Sequence, residues 1–390
     1  MEFEHDEGSQ NRYQLAAFAK RNLSDHFHRK FQKDKRNQQK ASLRNKAFHL
    51  SRFFAEREAN ELAIISHQPD YINITAVMAE HLDHFYLASK LEYGCSLRIM
   101  KQLWKHEPEY ALLNQLVSFL EKEGAHYLED PLIRVYFHTF KMLALDENSE
   151  GSYKVLMDVL SNHTAIFTKE ETYGLYIYAQ NYVTAQLNSG KSEYLEDVFR
   201  IYQEMLEKEV FLFNGYLDAG VYKNIVTVGL RLHKYDWVQQ FLDDYRGFLH
   251  PSHQNPAYHY NVAAWHYARK EYSKALRELL MTDLIDVYYH LNVRQMQLKI
   301  YFEKEESEAL NSLIDAFSSY LKRNKQISES KKEGFGNLVK YIRKAARLRQ
   351  RGFTLSQETF DQQKENLLHE IQTTPNLPIR SWLQEHVEVF

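Results

Sequence analysis

The sequence is poor in glycine, proline and cysteine. Its 390 residues include 13 glycines, 7 prolines and a single cysteine. Because glycine and proline supply most tight turns, their scarcity argues against a fold of many short strands. Cys95 has no partner for an internal disulfide, which is typical of proteins from a reducing compartment. It lies in an apolar helical pattern without a nearby cation, so we expect a packed thiol and not a nucleophile.

Long apolar runs are also absent. No stretch approaches the ~20 apolar residues that a helix needs to span a bilayer. The first seven residues have neither the basic start nor the apolar core of a secretory signal. We therefore expect a cytoplasmic protein without a membrane segment.

The sequence contains no short motif that indicates catalysis. A phosphate-binding loop, a glycine-rich dinucleotide fingerprint, a His-Glu-x-x-His motif and a Cys-x-x-Cys pair are all missing. The nearest approach to a metal site is His81 and His84, three residues apart on a predicted helix. Zinc would need both imidazoles on one face and at least one further ligand, whereas such pairs are usually solvated or lie at a core edge. We expect no enzymatic activity, no cofactor and no bound metal.

What the sequence does contain is typical of a globular helical protein. Hydrophobic residues make up 44% and charged residues 26%, which excludes a disordered chain. There are 27 tyrosines. A broad ring with a polar tip suits the half-buried seams between packed helices.

Apolar residues spaced by three and four predict helices along most of the chain. Residues 11–64 read as a basic amphipathic hairpin or one long helix, a break follows at 68–70, and two helices are predicted over 72–104 with a second break at 106–108. Asp130 followed by Pro131 predicts a helix start, as does Asn255 followed by Pro256. Thr168 and Glu171 have the spacing of a capping box. We divide the chain into basic N-terminal helices (1–70), helical repeats (71–321) and a C-terminal helical cap (322–390).

One pattern occurs three times between residues 220 and 321. Each copy has an apolar helix, a short polar connector and a second apolar helix. Aligned on Val238, Ala275 and Ala309, the copies are offset by 37 and 34 residues. A period of this length indicates helix pairs that bury their apolar faces by stacking on one another.

The middle copy resembles a tetratricopeptide repeat (TPR). That family has a small residue where the paired helices touch, an aromatic residue before the second helix and an alanine within it, and these roles fall on Ala263, Tyr272 and Ala275. The other copies depart from the pattern at four positions, namely Val226, Val238, Gln297 and Glu306. The resemblance implies an all-α fold, a right-handed superhelix of stacked antiparallel helix pairs (a TPR-like α-solenoid).

The resemblance also implies a binding groove lined by the first helix of each pair. Its ligand-contacting positions fall on six residues, Lys223, Asn224, Tyr260, Asn261, Arg294 and Gln295. An amide recurs at one of these positions in all three copies, and with two cations such a row would suit the backbone and an acidic group of an extended peptide. Alternatively, the amides hydrogen-bond between neighbouring repeats.

The charges are unevenly distributed, which leaves two hypotheses for function. Segments 20–57 and 322–351 each have a net charge of +9, while residues 58–321 carry −14. The first hypothesis is a non-catalytic scaffold that binds a protein or peptide in the groove. The alternative is a nucleic-acid-binding protein that uses the basic segments, with the densest cluster at Arg29, Lys30, Lys33, Lys35 and Arg36. Alternatively, these segments pack against the acidic repeats or form a solvated face.

Overall fold

A computed structural model describes residues 7–40, 44–65, 67, 71–104, 111–212, 215–282 and 287–390. The chain divides into two compact units, residues 1–211 and 212–390. Regular structure in the described ranges is helical, apart from an isolated bridge between Leu217 and Leu249. The all-α prediction is thus confirmed for the described residues. The division between the units falls inside the predicted repeat segment 71–321.

The described part of the first unit contains α1 (Glu7–Lys20), α2 (Ser24–Lys40), α3 (Lys46–Ile65), α4 (Tyr71–Trp104), α5 (Ala111–Lys122), α6 (Pro131–Met142), α7 (Ser149–Asn162), α8 (Lys169–Asn188) and α9 (Tyr194–Glu207). The basic segment predicted as a hairpin or one helix therefore forms three helices. Leu15, Phe27 and Leu62 are buried where α1, α2 and α3 meet. Burial of these three apolar side chains stabilises the N-terminal helices against one another.

Two helix starts in this unit were correctly predicted from local chemistry. Asp130 Oδ1 accepts a hydrogen bond from the amide of Leu132 at 2.8 Å, and Pro131 is the first residue of α6. At the start of α8, Thr168 Oγ1 accepts from the Glu171 amide at 3.2 Å, and Glu171 Oε2 accepts from the Thr168 amide at 2.9 Å. Both arrangements satisfy amide groups that the first helical turn leaves without a partner.

The two helices predicted over 72–104 form one helix, α4. Gly94 lies inside this helix. Its missing side chain leaves room for neighbouring helices to approach closely. A Cβ atom at position 94 would lie 2.5 Å from Leu113 of α5 and 3.1 Å from Phe140 of α6.

Cys95, the next residue of α4, is fully buried. Burial raises the pKa of its thiol far above the ordinary value, and Sγ lies 3.7 Å from the Tyr136 carbonyl oxygen. The environment of Cys95 fits the packed thiol that we predicted.

The described part of the second unit contains α10 (Ala219–Arg231), α11 (Tyr235–Tyr245), α12 (Pro251–Ala268), α13 (Tyr272–Leu280), α14 (Val287–Glu303), α15 (Ser307–Arg323), α16 (Glu329–Arg351), α17 (Gln357–Thr373) and α18 (Arg380–Glu388). The helices α10 and α11, α12 and α13, and α14 and α15 pack as pairs, and α12 also contacts α10, α11 and α14.

The three pairs share one turn. Three residues connect the helices in each pair, and the central one has positive φ: 56° at His233, 59° at Lys270 and 59° at Glu305. The residue after it donates its amide to a carbonyl five positions back, as in the bond from Glu271 to His266 at 2.9 Å. This is the left-handed cap that ends many helices. The three copies are therefore alike in local conformation.

The structure corrects the alignment of the third copy by one residue. The second helices begin at Tyr235, Tyr272 and Ser307, so the offsets are 37 and 35 residues. The third residue after each start is Val238, Ala275 and Leu310, and all three side chains are buried. Ala309, the predicted equivalent, is only half-buried. The sequence alignment matched Ala309 to Ala275 because both are alanines. In the structure the larger Leu310 fills the core position that corresponds to Ala275.

The predicted start of α12 was wrong. The helix begins at Pro251, and His250 Nδ1 caps it by accepting from the Ser252 amide at 3.3 Å. Pro256 lies inside the helix, where its missing N–H removes one hydrogen bond. Two similar start signals lie five residues apart, and the earlier one begins the helix.

The last helices of the second unit share a core with α14 and α15. Phe302, Ile314, Leu338, Ile342 and Leu383 are among its buried members. The role of residues 322–390 as a cap and the superhelical arrangement of the whole chain stay predictions. Among the described helices none is long and apolar enough to cross a membrane.

The breaks predicted at 68–70 and 106–108 lie outside the described residues.

Candidate functional site

The six predicted groove residues lie on α10, α12 and α14, the first helices of the three pairs. One ammonium group connects these helices. Lys223 Nζ of α10 lies 5.7 Å from the ring centre of Tyr260 on α12, and it donates a hydrogen bond to Asn292 Oδ1 of α14 at 3.3 Å. A cation over an aromatic face is attracted by the ring's negative face. Lys223 is thereby held at the place where the three helices meet.

Arg294 is held by a second set of contacts on α14. Its Nη1 donates to Gln297 Oε1 at 3.0 Å, and its Nε lies 3.3 Å from His290 Nε2. Burial and the guanidinium of Arg294 lower the pKa of His290, which favours the neutral imidazole that accepts from Arg294. The His290 ring stacks on Tyr320, with 3.9 Å between ring centres. Arg294 is thus oriented and remains half-buried.

Two of the six residues are inaccessible to a ligand. Tyr260 is 7% exposed and Asn261 is 1% exposed. Asn261 Nδ2 donates to the Ala257 carbonyl of its own helix at 2.8 Å. The Nδ2 group is thus used within α12, while the buried Oδ1 has no hydrogen-bond partner among the described residues. At 1% exposure the side chain does not suit a ligand contact, and it forms no hydrogen bond to a described residue of a neighbouring repeat.

The row of three amides is also an effect of the misaligned third copy. In the corrected register the residue equivalent to Asn261 is the buried Met296, while Gln295 corresponds to Tyr260. Of the predicted set, Asn224 is exposed, and Lys223, Arg294 and Gln295 are half-buried. These four are the members with access to solvent.

Sequence reasoning missed two polar residues that hold this surface together, His290 and Asn292. Asn292 corresponds to Ala257 and Gly220 in the other copies, so the repeat pattern contains no signal for it. His290 is likewise singled out only by its stacking on Tyr320 and its contact with Arg294.

The N-terminal basic cluster lies on α2, where Arg29, Lys33 and Arg36 share one face. Arg29, Lys33, Lys35 and Arg36 are exposed, while Lys30 pairs with the buried Asp34 at 3.2 Å. A shallow cavity of about 500 Å³ runs along this face, and its lining residues are His28, Arg29, Gln32, Lys33, Arg36 and Asn37. None of the described residues that line this cavity is a carboxylate.

Several cations of both basic segments are used inside their own unit. In the first, Arg52 pairs with Glu56 on α3, and Lys46 pairs with Glu92 on α4. In the second, Arg349 lies 3.4 Å from Glu305. For these cations, packing against acidic residues of the same chain is the observed arrangement. The exposed face of α2 differs from them in this respect.

His81 and His84 do not converge on a common point. Nδ1 of His81 lies 3.2 Å from Nδ1 of the buried His49, whereas Nε2 of His84 lies 3.4 Å from Asp130 Oδ2. Burial, together with His84, His81 and Arg44, lowers the pKa of His49 to about 3. In the described ranges no group of three or more His, Cys, Asp or Glu side chains is arranged to hold a metal ion. The three histidines form a polar cluster between α3, α4 and the start of α6.

Comparison with protein-family models, with curated proteins and with solved structures found no match for this chain.

Proposed function

We propose that this protein is a non-catalytic scaffold of TPR-like helical repeats that binds an extended, acidic segment of a partner protein across α10, α12 and α14. The observation that carries the proposal is the alignment of these three helices side by side, with Lys223 and Arg294 both accessible on them. The three pairs also share one turn conformation, and the same turn connects α1 and α2.

The chemistry of the surface favours an acidic ligand. Lys223 contacts the amide of Asn292 and the ring of Tyr260, and Arg294 contacts the imidazole of His290. Since a guanidinium has five N–H donors, Arg294 retains donors for a carboxylate after its contacts with His290 and Gln297. The exposed amide of Asn224 would add a bond to a peptide backbone.

The test is a selection of 12-residue peptides from a random displayed library, followed by anisotropy titration of the enriched peptides. We expect acidic sequences to be enriched. Replacing Lys223, Asn224 and Arg294 together by alanine should weaken their binding at least about tenfold, because each charged hydrogen bond is worth about 1.5–3 kcal/mol.

A matched control carries the same number of cations and amides on the second helices of the pairs. Gln240, Arg277 and Lys322 are exposed on α11, α13 and α15. Their replacement by alanine should leave peptide affinity unchanged. Equal affinity of the two triple variants, or the absence of any enriched peptide, would reject the groove.

A second candidate function is nucleic-acid binding through α2, and the exposed cations of that helix favour it. Three cations on one exposed face, Arg29, Lys33 and Arg36, beside the amides of Gln32 and Asn37, suit contacts to a phosphate backbone. Such binding should weaken steeply between 50 and 200 mM salt, because it releases condensed counterions. Absence of binding to single-stranded RNA and to duplex DNA at low salt would eliminate this candidate.

A further inference from the structure

We propose that the groove between α16 and α17 is a binding site for the phosphoryl group of a small phosphorylated molecule. The groove has a volume of about 290 Å³, near the small end of the range for ligand sites. Its lining residues are Lys344, Arg347, Leu348 and Arg351 of α16, and Gln363, Asn366, Leu367 and Glu370 of α17. It is separate from the surface on α10, α12 and α14, and the proposal does not depend on that surface.

The arginines of α16 fall into two classes. Arg343 pairs with Asp315, and Arg349 donates to the Phe302 carbonyl at 2.6 Å and lies 3.4 Å from Glu305. Arg347 and Arg351 are exposed and form no ion pair with any described residue. The two arginines without a carboxylate are the two that line the groove.

The groove retains positive charge after its internal ion pair is counted. Glu370 is the only carboxylate among its lining residues, and it pairs with Lys344 at 2.6 Å. The guanidinium groups of Arg347 and Arg351 are left over. They are four residues apart on one helix, a spacing that puts their Cβ atoms about 6 Å apart on the same face. Two planar guanidinium groups at this spacing suit the oxygens of one phosphoryl group.

The opposite wall contributes amides. Asn366 Oδ1 accepts a hydrogen bond from Gln362 Nε2 at 3.4 Å, which leaves the Nδ2 group of Asn366 as the donor. Gln363, one turn earlier on α17, is half-buried in the same wall. Amide donors facing guanidinium groups complete a polar rim for an anion.

The floor of the groove is apolar. Leu348 is 6% exposed and Leu367 is 5% exposed. The carbon skeleton of a phosphorylated sugar would cover the small apolar surface that these two leucines still expose, whereas an inorganic ion has no carbon to place there. A phosphate ester on a small carbon skeleton therefore fits both parts of the site better than free phosphate does.

Calorimetric titration of the full chain with ribose 5-phosphate tests the proposal. We expect saturable binding, no binding of ribose, and weaker binding of inorganic phosphate. Replacing Arg347 and Arg351 together by glutamine should weaken ribose 5-phosphate binding at least tenfold. The control replaces Lys322 and Lys325, two exposed cations before α16, by glutamine and should bind as the wild type does.

Both double variants change exposed side chains, so circular dichroism should show unchanged helix content. Failure of the wild type to bind ribose 5-phosphate at 10 mM would overturn the proposal. Equal affinity of the Arg347 and Arg351 variant and the wild type would also overturn it. A short RNA that binds through these arginines while ribose 5-phosphate does not would replace a small-molecule site with a nucleic-acid contact.

Discussion

The indole Nε1 of Trp382 donates a hydrogen bond to the carboxylate of Glu303 at 2.8 Å, across 79 residues of sequence. The same carboxylate accepts from Tyr267, accepts from Tyr272 at 2.5 Å, and lies 3.3 Å from His386 Nε2. Burial opposes the charge, yet the hydrogen bonds from His386, Tyr267, Tyr272 and Trp382 together outweigh it and lower the pKa of Glu303 to about 2. One carboxylate thus joins α12, α13, α14 and α18.

We predict that Glu303→Gln loosens the attachment of α18. Glutamine has one acceptor oxygen in place of two, and its amide group would face hydrogen-bond donors. We expect a loss on the order of 3 kcal/mol, the cost typical of breaking a buried charged network. Hydrogen exchange over residues 380–388 should become faster. Glu308→Gln, at an exposed position on α15, is the control, and equal protection in both variants would contradict the prediction.

The buried histidine cluster predicts a loss of stability in mild acid. His49 has a folded pKa of about 3 against 6.5 when unfolded, so the unfolded chain binds one more proton between these values. Stability associated with His49 is therefore fully present above about pH 6.5 and decreases as the pH falls toward 3. The slope for one such group is about 1.4 kcal/mol per pH unit once its unfolded form is protonated. Urea unfolding at pH 7, 6 and 5 measures it.

Replacement of His49 by glutamine removes this proton linkage. The difference in unfolding free energy between wild type and His49→Gln should shrink by about 1 kcal/mol from pH 6 to pH 5. His126→Gln, an exposed histidine of the same unit, should leave the wild-type slope unchanged. The surrounding groups are His81, His84, Asp130 and Arg44, which stay in place in both variants. Parallel pH profiles of His49→Gln and wild type would refute the linkage.

Two glycines of α16 should respond to alanine in opposite directions. A Cβ atom at position 334 would lie 2.4 Å from the backbone oxygen of Asn376, whereas a Cβ at position 336 would meet nothing within 4 Å. Gly334→Ala should lower stability by about 1–3 kcal/mol through this clash. Gly336→Ala should raise it by about 0.5–1 kcal/mol, because alanine loses less backbone entropy in a helix. Thermal unfolding of both variants measures the difference. A stabilised Gly334→Ala would contradict the packing of α16 against the segment between α17 and α18 that contains Asn376.

The shared turn of the repeats predicts a stabilising glycine. Lys270 has a φ of 59° and is exposed, so its side chain strains the backbone. Lys270→Gly should stabilise the protein by up to about 1 kcal/mol, since glycine adopts positive φ without the clash that a Cβ causes. Lys270→Val should destabilise it, because a branched Cβ is the least suited to this conformation. Thermal unfolding that ranks valine above lysine would contradict the left-handed turn.

Sequence patterns predicted the elements whose causes are local. The caps at Asp130 and Thr168 depend on side chains that reach two or three residues along the chain, and such contacts can be read directly. The start of α12 was misplaced because both Pro251 and Pro256 carry a valid local signal. Two helices were predicted over 72–104, where α4 is continuous. Gly94 lies within α4 where Leu113 and Phe140 approach closely, and such non-local packing cannot be read from local spacing.

The candidate groove was predicted only in part. The pattern identified the correct three helices, but it placed the third copy one residue out of register and selected Asn261, which is buried. Local matching compares residue types, whereas the register of a helix pair is set by which side chains fill the core. Leu310 fills that position where Ala309 had been expected.

The sequence by itself determined that this chain is helical, because apolar spacing, caps and the scarcity of glycine and proline act within a few residues. Only the tertiary structure decided which charges remain available. Glu303 is engaged by residues 31 to 83 positions away, and Arg349 is engaged by Phe302, whereas Arg347 and Arg351 are left facing a groove. The arginines of α16 look alike in the sequence. Within the described residues, packing brings hydrogen-bond acceptors to Arg349 but not to Arg347 and Arg351.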